Sequence, residues 1–472
     1  MNNKFITFLK NLSYTLFSNL TSMIVSSVVV LIVPKLIGVK EYGYWQLYLF
    51  YSSYVGFLHF GWNDGIYLRY GGKDYNKLNK KVFFSQFWML TIMQLIIGIS
   101  IFIISNIYIN DINKMFVFKM TALCLFLTNS RTMLLYILQA TNRIKEYAQI
   151  TLIEKIFYCI LIIMFLMIGI REYKLMIVAD LIGKLISLLF SIYCCKDIVI
   201  KNISFFYLNL KETIENINVG IKLMFANIAS MLIVGIIRFG IEHTWDVATF
   251  GKVSLTLSIS NLIMIFINAV GIIMFPIMKR TDEKKLSKIY LVINRFLMTF
   301  LFGILIVYYP LKMILSLWLP NYSESLKYMA LVFPMCIYEG KMSLLINTYF
   351  KTLRKEKLML FINIISVILS LMLTFIFTFV FKNLILSIVS IVILLAFRCI
   401  LAEIFLFNIL NISLSNDIIF ETIMTIAFIL TGWLTNSWIG PIIYLLIYII
   451  YLFIKRKNIV YAFKTTKQLV KD

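Results

Sequence analysis

Charged side chains are scarce in this sequence: Asp, Glu, Lys and Arg make up 14% of its 472 residues, against about 25% in a soluble domain. With 61% of residues drawn from AVILMFWYC, the chain cannot cover a surface with polar groups. That excludes a water-soluble enzyme, and the same balance excludes disorder. Only six prolines interrupt it, so long helices are allowed. The two histidines, His59 and His243, lie far apart, and none of the six cysteines (Cys124, Cys159, Cys194, Cys195, Cys336, Cys399) has metal-ligand spacing with either. No metal site and no disulfide framework follows; Cys194 and Cys195 read as reduced thiols at a helix end. There is no Walker A glycine loop, so ATP hydrolysis within the chain is excluded as a power source, and there is no nucleophile–base constellation. No cofactor is implied.

What the chain does have is long apolar runs, each able to cross a hydrocarbon core of about 30 Å. Hydropathy predicts fourteen transmembrane helices, an all-α polytopic membrane protein. The first six lie near 12–33, 44–64, 83–106, 115–138, 148–169 and 174–195. Eight more follow near 217–239, 251–277, 289–309, 326–350, 358–380, 384–407, 417–435 and 440–454. The stretch after Lys4 and Lys10 has no A-x-A cleavage pattern and reads as the first span, not a removable signal. A domain organisation follows: 1–195, a polar linker at 196–215, 216–410, and 411–472 with two further spans and a basic tail.

The excess of 45 Lys and Arg over 22 Asp and Glu is mostly an orientation signal. With a cytoplasmic N-terminus, 27 basic residues fall on inside segments and eight on outside loops, as the positive-inside rule requires. Both termini are then expected in the cytoplasm, and nucleic acid is not needed to explain the charge. The remaining ten, Lys119, Arg131, Lys155, Lys184, Lys222, Arg238, Lys252, Arg295, Lys341 and Arg398, lie inside or at the rims of spans. The acids there are fewer: Asp64, Glu154, Asp180, Glu242, Glu339 and Glu403. Each charge at mid-bilayer costs several kcal/mol unless paired or hydrated, so a cationic excess needs a reason. The halves also echo one another: Tyr42-Gly43 opens the second span and Phe250-Gly251 the eighth, and repeated halves are how many secondary transporters are built.

Several segments resemble one family. Pro34-Lys-Leu-Ile-Gly38-Val-Lys-Glu41-Tyr42-Gly43 is similar to the P-x3-G-x2-E-[FY]-G turn of polysaccharide repeat-unit flippases, within the multidrug/oligosaccharidyl-lipid/polysaccharide exporter superfamily. Gly61-Trp-Asn-Asp-Gly65-Ile-Tyr-Leu-Arg69-Tyr70, Gln139-Ala-Thr-Asn-Arg143 with Tyr147-Ala148, and the run from Asp246 through Phe250-Gly251 to Pro276 resemble later elements of that family. The resemblance implies two six-helix lobes around a central cavity plus two C-terminal helices. It also implies alternating-access transfer of an undecaprenyl-pyrophosphate-linked oligosaccharide (O-antigen or capsule repeat units) from the inner to the outer leaflet of a bacterial cytoplasmic membrane. Its partners would be membrane lipids, a polysaccharide polymerase and chain-length machinery.

The intramembrane charges suit that cargo, since Arg and Lys facing a wet cavity offset the desolvation of a diphosphate. Candidate substrate-binding cations are Arg398, Lys341, Arg131, Arg295, Lys222, Lys184 and Arg238; candidate ion-coupling carboxylates are Glu339, Asp180 and Glu154. Arg398 and Glu339 lie nearest mid-span. Glu403, five residues after Arg398, is poorly spaced for a helix-face pair, which leaves Arg398 without a local partner. Asp180 and Lys184 are spaced for a neutralised pair, and Arg238 with Glu242 for a rim pair. Glu154 and Lys155 diverge by about 100° and need not pair. Arg131, Lys155, Lys222 and Arg295 lie about two turns from the inner face, where long side chains snorkel. Aromatics at span ends, such as Tyr44, Trp45, Trp318 and Trp433, fit an interfacial belt, and Pro334 is placed to kink the tenth span.

Rival functions are a multidrug exporter or a lipid II flippase of the same superfamily. A membrane polysaccharide polymerase or glycosyltransferase is a different class, which the short outside loop at 310–325 disfavours. A scramblase or assembly partner is a further alternative.

Overall fold

The computed structural model describes residues 3–280, 283–412, 417–435 and 439–469, and every regular element among them is helical. The chain divides into two compact units, Met1–Ile228 and Ala229–Asp472. The first unit contains α1 (Asn3–Leu36), α2 (Val39–Ser52), α3 (Trp62–Tyr70), α4 (Lys80–Tyr108), α5 (Ile112–Ala140), α6 (Ile144–Met167), α7 (Tyr173–Cys194), the short α8 (Lys196–Val199) and the opening of α9 (Leu210–Thr244). The second contains the rest of α9 and α10 (Val247–Arg280), α11 (Glu283–Leu305), α12 (Tyr308–Trp318), α13 (Tyr328–Val332), α14 (Met335–Lys341), α15 (Asn347–Thr352), α16 (Glu356–Thr374), α17 (Leu384–Leu410), α18 (Asp417–Leu434) and α19 (Ile439–Leu469).

Thirteen helical stretches among the described residues are long and apolar enough to cross a membrane. The one the hydropathy pattern adds, 44–64, is not a single helix. After α2 the chain makes a 3₁₀ turn at Val55–His59, and Phe60 (φ 54°) and Gly61 (φ 83°) are left-handed before α3 begins. A glycine accepts that backbone without strain. The freed Gly61 N–H donates to His59 Nδ1 at 3.0 Å, so the break is internally satisfied, as apolar surroundings require. Hydropathy runs through this break because its residues are mostly apolar.

Between helices in lipid, cohesion comes from close packing and polar contacts more than from the hydrophobic effect. In the first unit α6 packs on α1 and α7, and α5 on α3, α4 and α7. Gly183 of α7 allows this: a Cβ there would lie 2.9 Å from the Glu154 carbonyl oxygen of α6. That approach sets Glu154, Asp180 and Lys184 near one another. In the second unit, α14 lies against α10, α11 and α17, while α18 and α19 pair and reach α13 and α11 respectively. Pro334 caps the start of α14, and a π-helical stretch, Met342–Ile346, separates α14 from α15 immediately after Lys341. Such π turns widen the helix locally and are common at functional positions.

Candidate functional site

Each unit holds its own buried charge cluster. In the first, Asp180 and Lys184 stand one turn apart on α7 and form an ion pair. Tyr48 of α2 donates its hydroxyl to Asp180 Oδ2 at 2.6 Å. Across on α6, Glu154 accepts from Arg131 of α5. Arg131 also donates to Ser187 Oγ of α7 at 3.2 Å, and Lys155 Nζ lies 3.6 Å from Glu154 Oε1. Three cations thus share two carboxylates. Lys155 is the most open of the three cations, its side chain 35% exposed against 10% for Arg131.

The second unit contains two constellations. Arg398 of α17, almost wholly enclosed, donates from Nε to Asn363 Oδ1 of α16 (2.9 Å), from Nη2 to Ser230 Oγ of α9 (2.9 Å) and from Nη1 to Glu339 Oε2 of α14 (3.4 Å). Glu339 keeps a 30% exposed side chain, so this pair has one dry and one open member. Further along, Lys341 is fully buried with its ammonium 2.7 Å from Glu403 of α17 and 2.6 Å from Glu421 of α18. Tyr290 of α11 donates to Glu403 Oε1 at 2.9 Å. This triad encloses one cation and two carboxylates.

The remaining predicted cations are scattered. Lys222 is exposed on α9. Arg238 donates from Nη2 to Ser254 Oγ at 3.1 Å, and its guanidinium lies 5.4 Å from the centre of the Phe250 ring. Arg295 of α11 is half-buried and lines a cavity with Asp417, Glu421 and Lys455.

The hydrogen-bond partners of Arg398 come from other helices, in keeping with its lack of a local one; same-helix spacing carries no information about them. One expectation is corrected here. Arg131 does not snorkel, because Glu154 and Ser187 hold its guanidinium inside. Glu154 and Lys155, whose adjacency does not require a pair, lie within ion-pair distance, the long lysine bridging the angle between adjacent positions. Tyr48, Asn363, Ser230, Tyr290 and Glu421 were missed. Glu421 sits one turn into its span, where hydropathy reads an acid as interfacial, and neutral hydroxyls and amides in apolar helices give no charge signal.

The motif residues of the sequence mostly hold turns. Glu41 accepts the Tyr173 N–H at 2.9 Å and so closes the start of α7. Arg69 clamps Glu212 (2.6 Å), Asn216 (2.6 Å) and Glu215 (2.7 Å) at the opening of α9. Arg143 reaches Glu146 and the Cys194 carbonyl. Tyr42 and Phe250 are buried at the fourth positions of α2 and α10, each followed by a buried glycine.

Both units thus bury ion pairs among long apolar helices. No protein-family model matches the chain, and no curated protein does. Solved structures do match. An inward-facing multidrug resistance MATE family transporter of the MOP superfamily aligns with TM-score 0.60 at 12% identity, covering 87% of this chain and 98% of that one. The lipid II flippase MurJ, in an inward closed conformation, aligns with TM-score 0.60 at 14% identity, covering 96% and 100%. A MATE protein in complex with MaD3S gives 0.55 at 12% identity, covering 89% and 95%. The chain shares the helical fold of these solved structures.

Proposed function

We propose that the chain is a flippase for a polyprenyl-diphosphate-linked oligosaccharide, the undecaprenyl-pyrophosphate repeat unit of O-antigen or capsule. It would move this cargo from the inner to the outer leaflet of a bacterial cytoplasmic membrane by alternating access, with both termini cytoplasmic. The observation that carries the reading is the cationic excess of one cluster in the first unit, where, among the described residues, Arg131, Lys155 and Lys184 are paired with two carboxylates, Glu154 and Asp180. An uncompensated cation inside a span is costly, and an anionic cargo offsets that cost. A diphosphate headgroup is such a cargo, and Lys155 is the cation best placed to meet it. An exporter of cations would be expected to hold spare carboxylates there instead. Glu339, Asp180 and Glu154 are the carboxylates through which an ion gradient would act, Glu339 being the open one.

A lipid II flippase is the second reading. It is favoured by the breadth of the likeness to MurJ, 96% of this chain against 87% for the MATE transporter. A multidrug exporter has the same fold behind it but not the cationic excess of the first unit's cluster.

The test is a proteoliposome assay that follows the sidedness of undecaprenyl-pyrophosphate oligosaccharide, lipid II and a cationic dye in parallel. Wild type is expected to move the oligosaccharide lipid, Lys155→Ala to lose most of that movement, and the exposed Lys357→Ala to retain it. Dye efflux without movement of either lipid would replace the reading with the exporter; movement of lipid II alone would replace it with the second reading.

A further inference from the structure

The Lys341 triad is asymmetric. Glu403 is satisfied through both oxygens, by Lys341 and Tyr290. Glu421 accepts from Lys341 through Oε1, and its buried Oε2 has no hydrogen-bond partner among the described residues. Asn294 of α11, 3% exposed, likewise buries an Oδ1 with no partner. Asn294 and Glu421 line one cavity, together with Arg295, Asp417, Tyr451 and Lys455, and it is roomy enough for a water. Buried acceptors are almost always satisfied, so these two, on one cavity, call for a hydrogen-bond donor between them.

We propose that a proton bound to Glu421 supplies that donor, and that Glu421 is a proton-binding site in the second unit. The charges around it select a proton over a metal ion. Among the described residues, the charged and titratable groups around Glu421 are Lys341 and Tyr338 from α14, Glu403 and Cys399 from α17, Tyr290 and Arg295 from α11, Asp417 from its own helix, and Tyr451 and Lys455 from α19. A metal ion in the cavity would lie beside two cationic side chains, Arg295 and Lys455. A proton on Oε2 needs no such room, turns an unsatisfied acceptor into a donor, and gives it Asn294 Oδ1 as an acceptor, directly or through the water.

A route exists for it. Asp417 lies one turn before Glu421 on the same face of α18, is ion-paired with Lys455, and has a 19% exposed side chain. A proton from water reaches the Asp417 carboxylate, crosses the cavity and binds Glu421 Oε2; the reverse path releases it. Protonation takes away the charge of one of the two carboxylates holding Lys341, the residue that ends α14 at its π stretch, so proton occupancy is linked to how firmly α14 is tied to α18. The inference holds whatever the cargo, because neither the site nor its readout involves one.

Infrared difference spectra of the full-length protein in nanodiscs, acid minus alkaline, test it. Wild type is expected to show the carbonyl-stretch band of a buried protonated carboxyl, Glu421→Gln to lose it, and Glu339→Gln to keep it. A band that persists in Glu421→Gln overturns the proposal. If Glu421→Gln does not fold, Asn294→Leu serves: removing the hydrogen-bond acceptor shifts the band if the carboxyl is Glu421, and an unmoved band overturns the assignment. Thallium binding by wild type that is lost in either variant, with no carboxyl band, would make the site a metal-cation site instead.

Discussion

A Cβ built on Gly65 of α3 would lie 1.8 Å from the carbonyl oxygen of Asn216 in α9. One on Gly220 would lie 2.0 Å from the Gly61 carbonyl oxygen. The two helices therefore meet backbone to backbone, and the Arg69 clamp on Glu212 and Glu215 closes the same contact one turn further on. An ordinary Gly→Ala in a helix interior stabilises by about 0.5–1 kcal/mol. Here the sign reverses: Gly65→Ala is expected to destabilise by about 1–3 kcal/mol, the usual range for overpacking. Gly56, with nothing within 4 Å, is the control. Thermal unfolding in detergent decides; a Gly65→Ala melting curve that overlays wild type would show that the helices do not touch.

Arg398 uses three separate nitrogens on three helices, a fork that lysine cannot reproduce. Arg398→Lys is therefore expected to behave like Arg398→Ala in transport, although the charge is kept. Arg398 and Glu339 should also couple. The double variant Arg398→Gln/Glu339→Gln is expected to be more stable than the sum of the single effects by about 0.5–3 kcal/mol. Strict additivity in a double-mutant cycle would mean that the 3.4 Å contact contributes nothing.

The two carboxylates of the buried triad are not equivalent, and Lys341 holds both. Lys341→Met leaves Glu403 and Glu421 enclosed together, and removal of one partner of a buried pair typically costs about 3–5 kcal/mol. Adding Glu421→Gln to Lys341→Met should recover part of that loss, because it removes a buried charge. Loss of stability undiminished in the double variant would place the cost in packing and not in charge. Yields of folded, monodisperse protein and melting temperatures give the comparison.

Much of the fold was legible in the sequence because lipid imposes one rule on every span, and apolar length follows that rule along the whole chain. The second span shows where the rule stops: Val55–Trp62 is apolar enough to pass, yet the left-handed pair Phe60–Gly61 breaks the helix. Local geometry there outweighs composition. The charged positions of the candidate site were legible for the same reason, since Arg398 or Lys341 stands out in an apolar run. Their partners were not. Lys341 finds Glu421 at a separation of 80 residues, and Arg398 finds Ser230 at 168; only the packing of helices brings these together. Asp180–Lys184 could be read because both sit on one helix at one-turn spacing.

Outside the spans, pH acts through Asp111. Its Oδ1 accepts the N–H groups of Asn113 (2.8 Å) and Lys114 (3.2 Å) at the start of α5, and Tyr44 donates to Oδ2 at 3.0 Å. Burial pushes the carboxyl up, but the backbone N–H groups of Lys114 and Asn113, the Tyr44 hydroxyl and the Lys114 charge together hold it below its ordinary 3.8. A carboxyl depressed in the folded state contributes stability that is fully present above its unfolded value and is lost as pH falls through the folded one. Asp111→Ala is expected to cost about 1 kcal/mol near neutrality, the usual value of an N-cap. Asp111→Asn keeps a capping oxygen without a charge. The stability gap between wild type and Asp111→Asn should therefore be constant from neutral pH down to about 4 and narrow below that. Melting temperatures measured across that range check it, and a gap that widens on acidification would mean that the folded carboxyl is raised, not lowered.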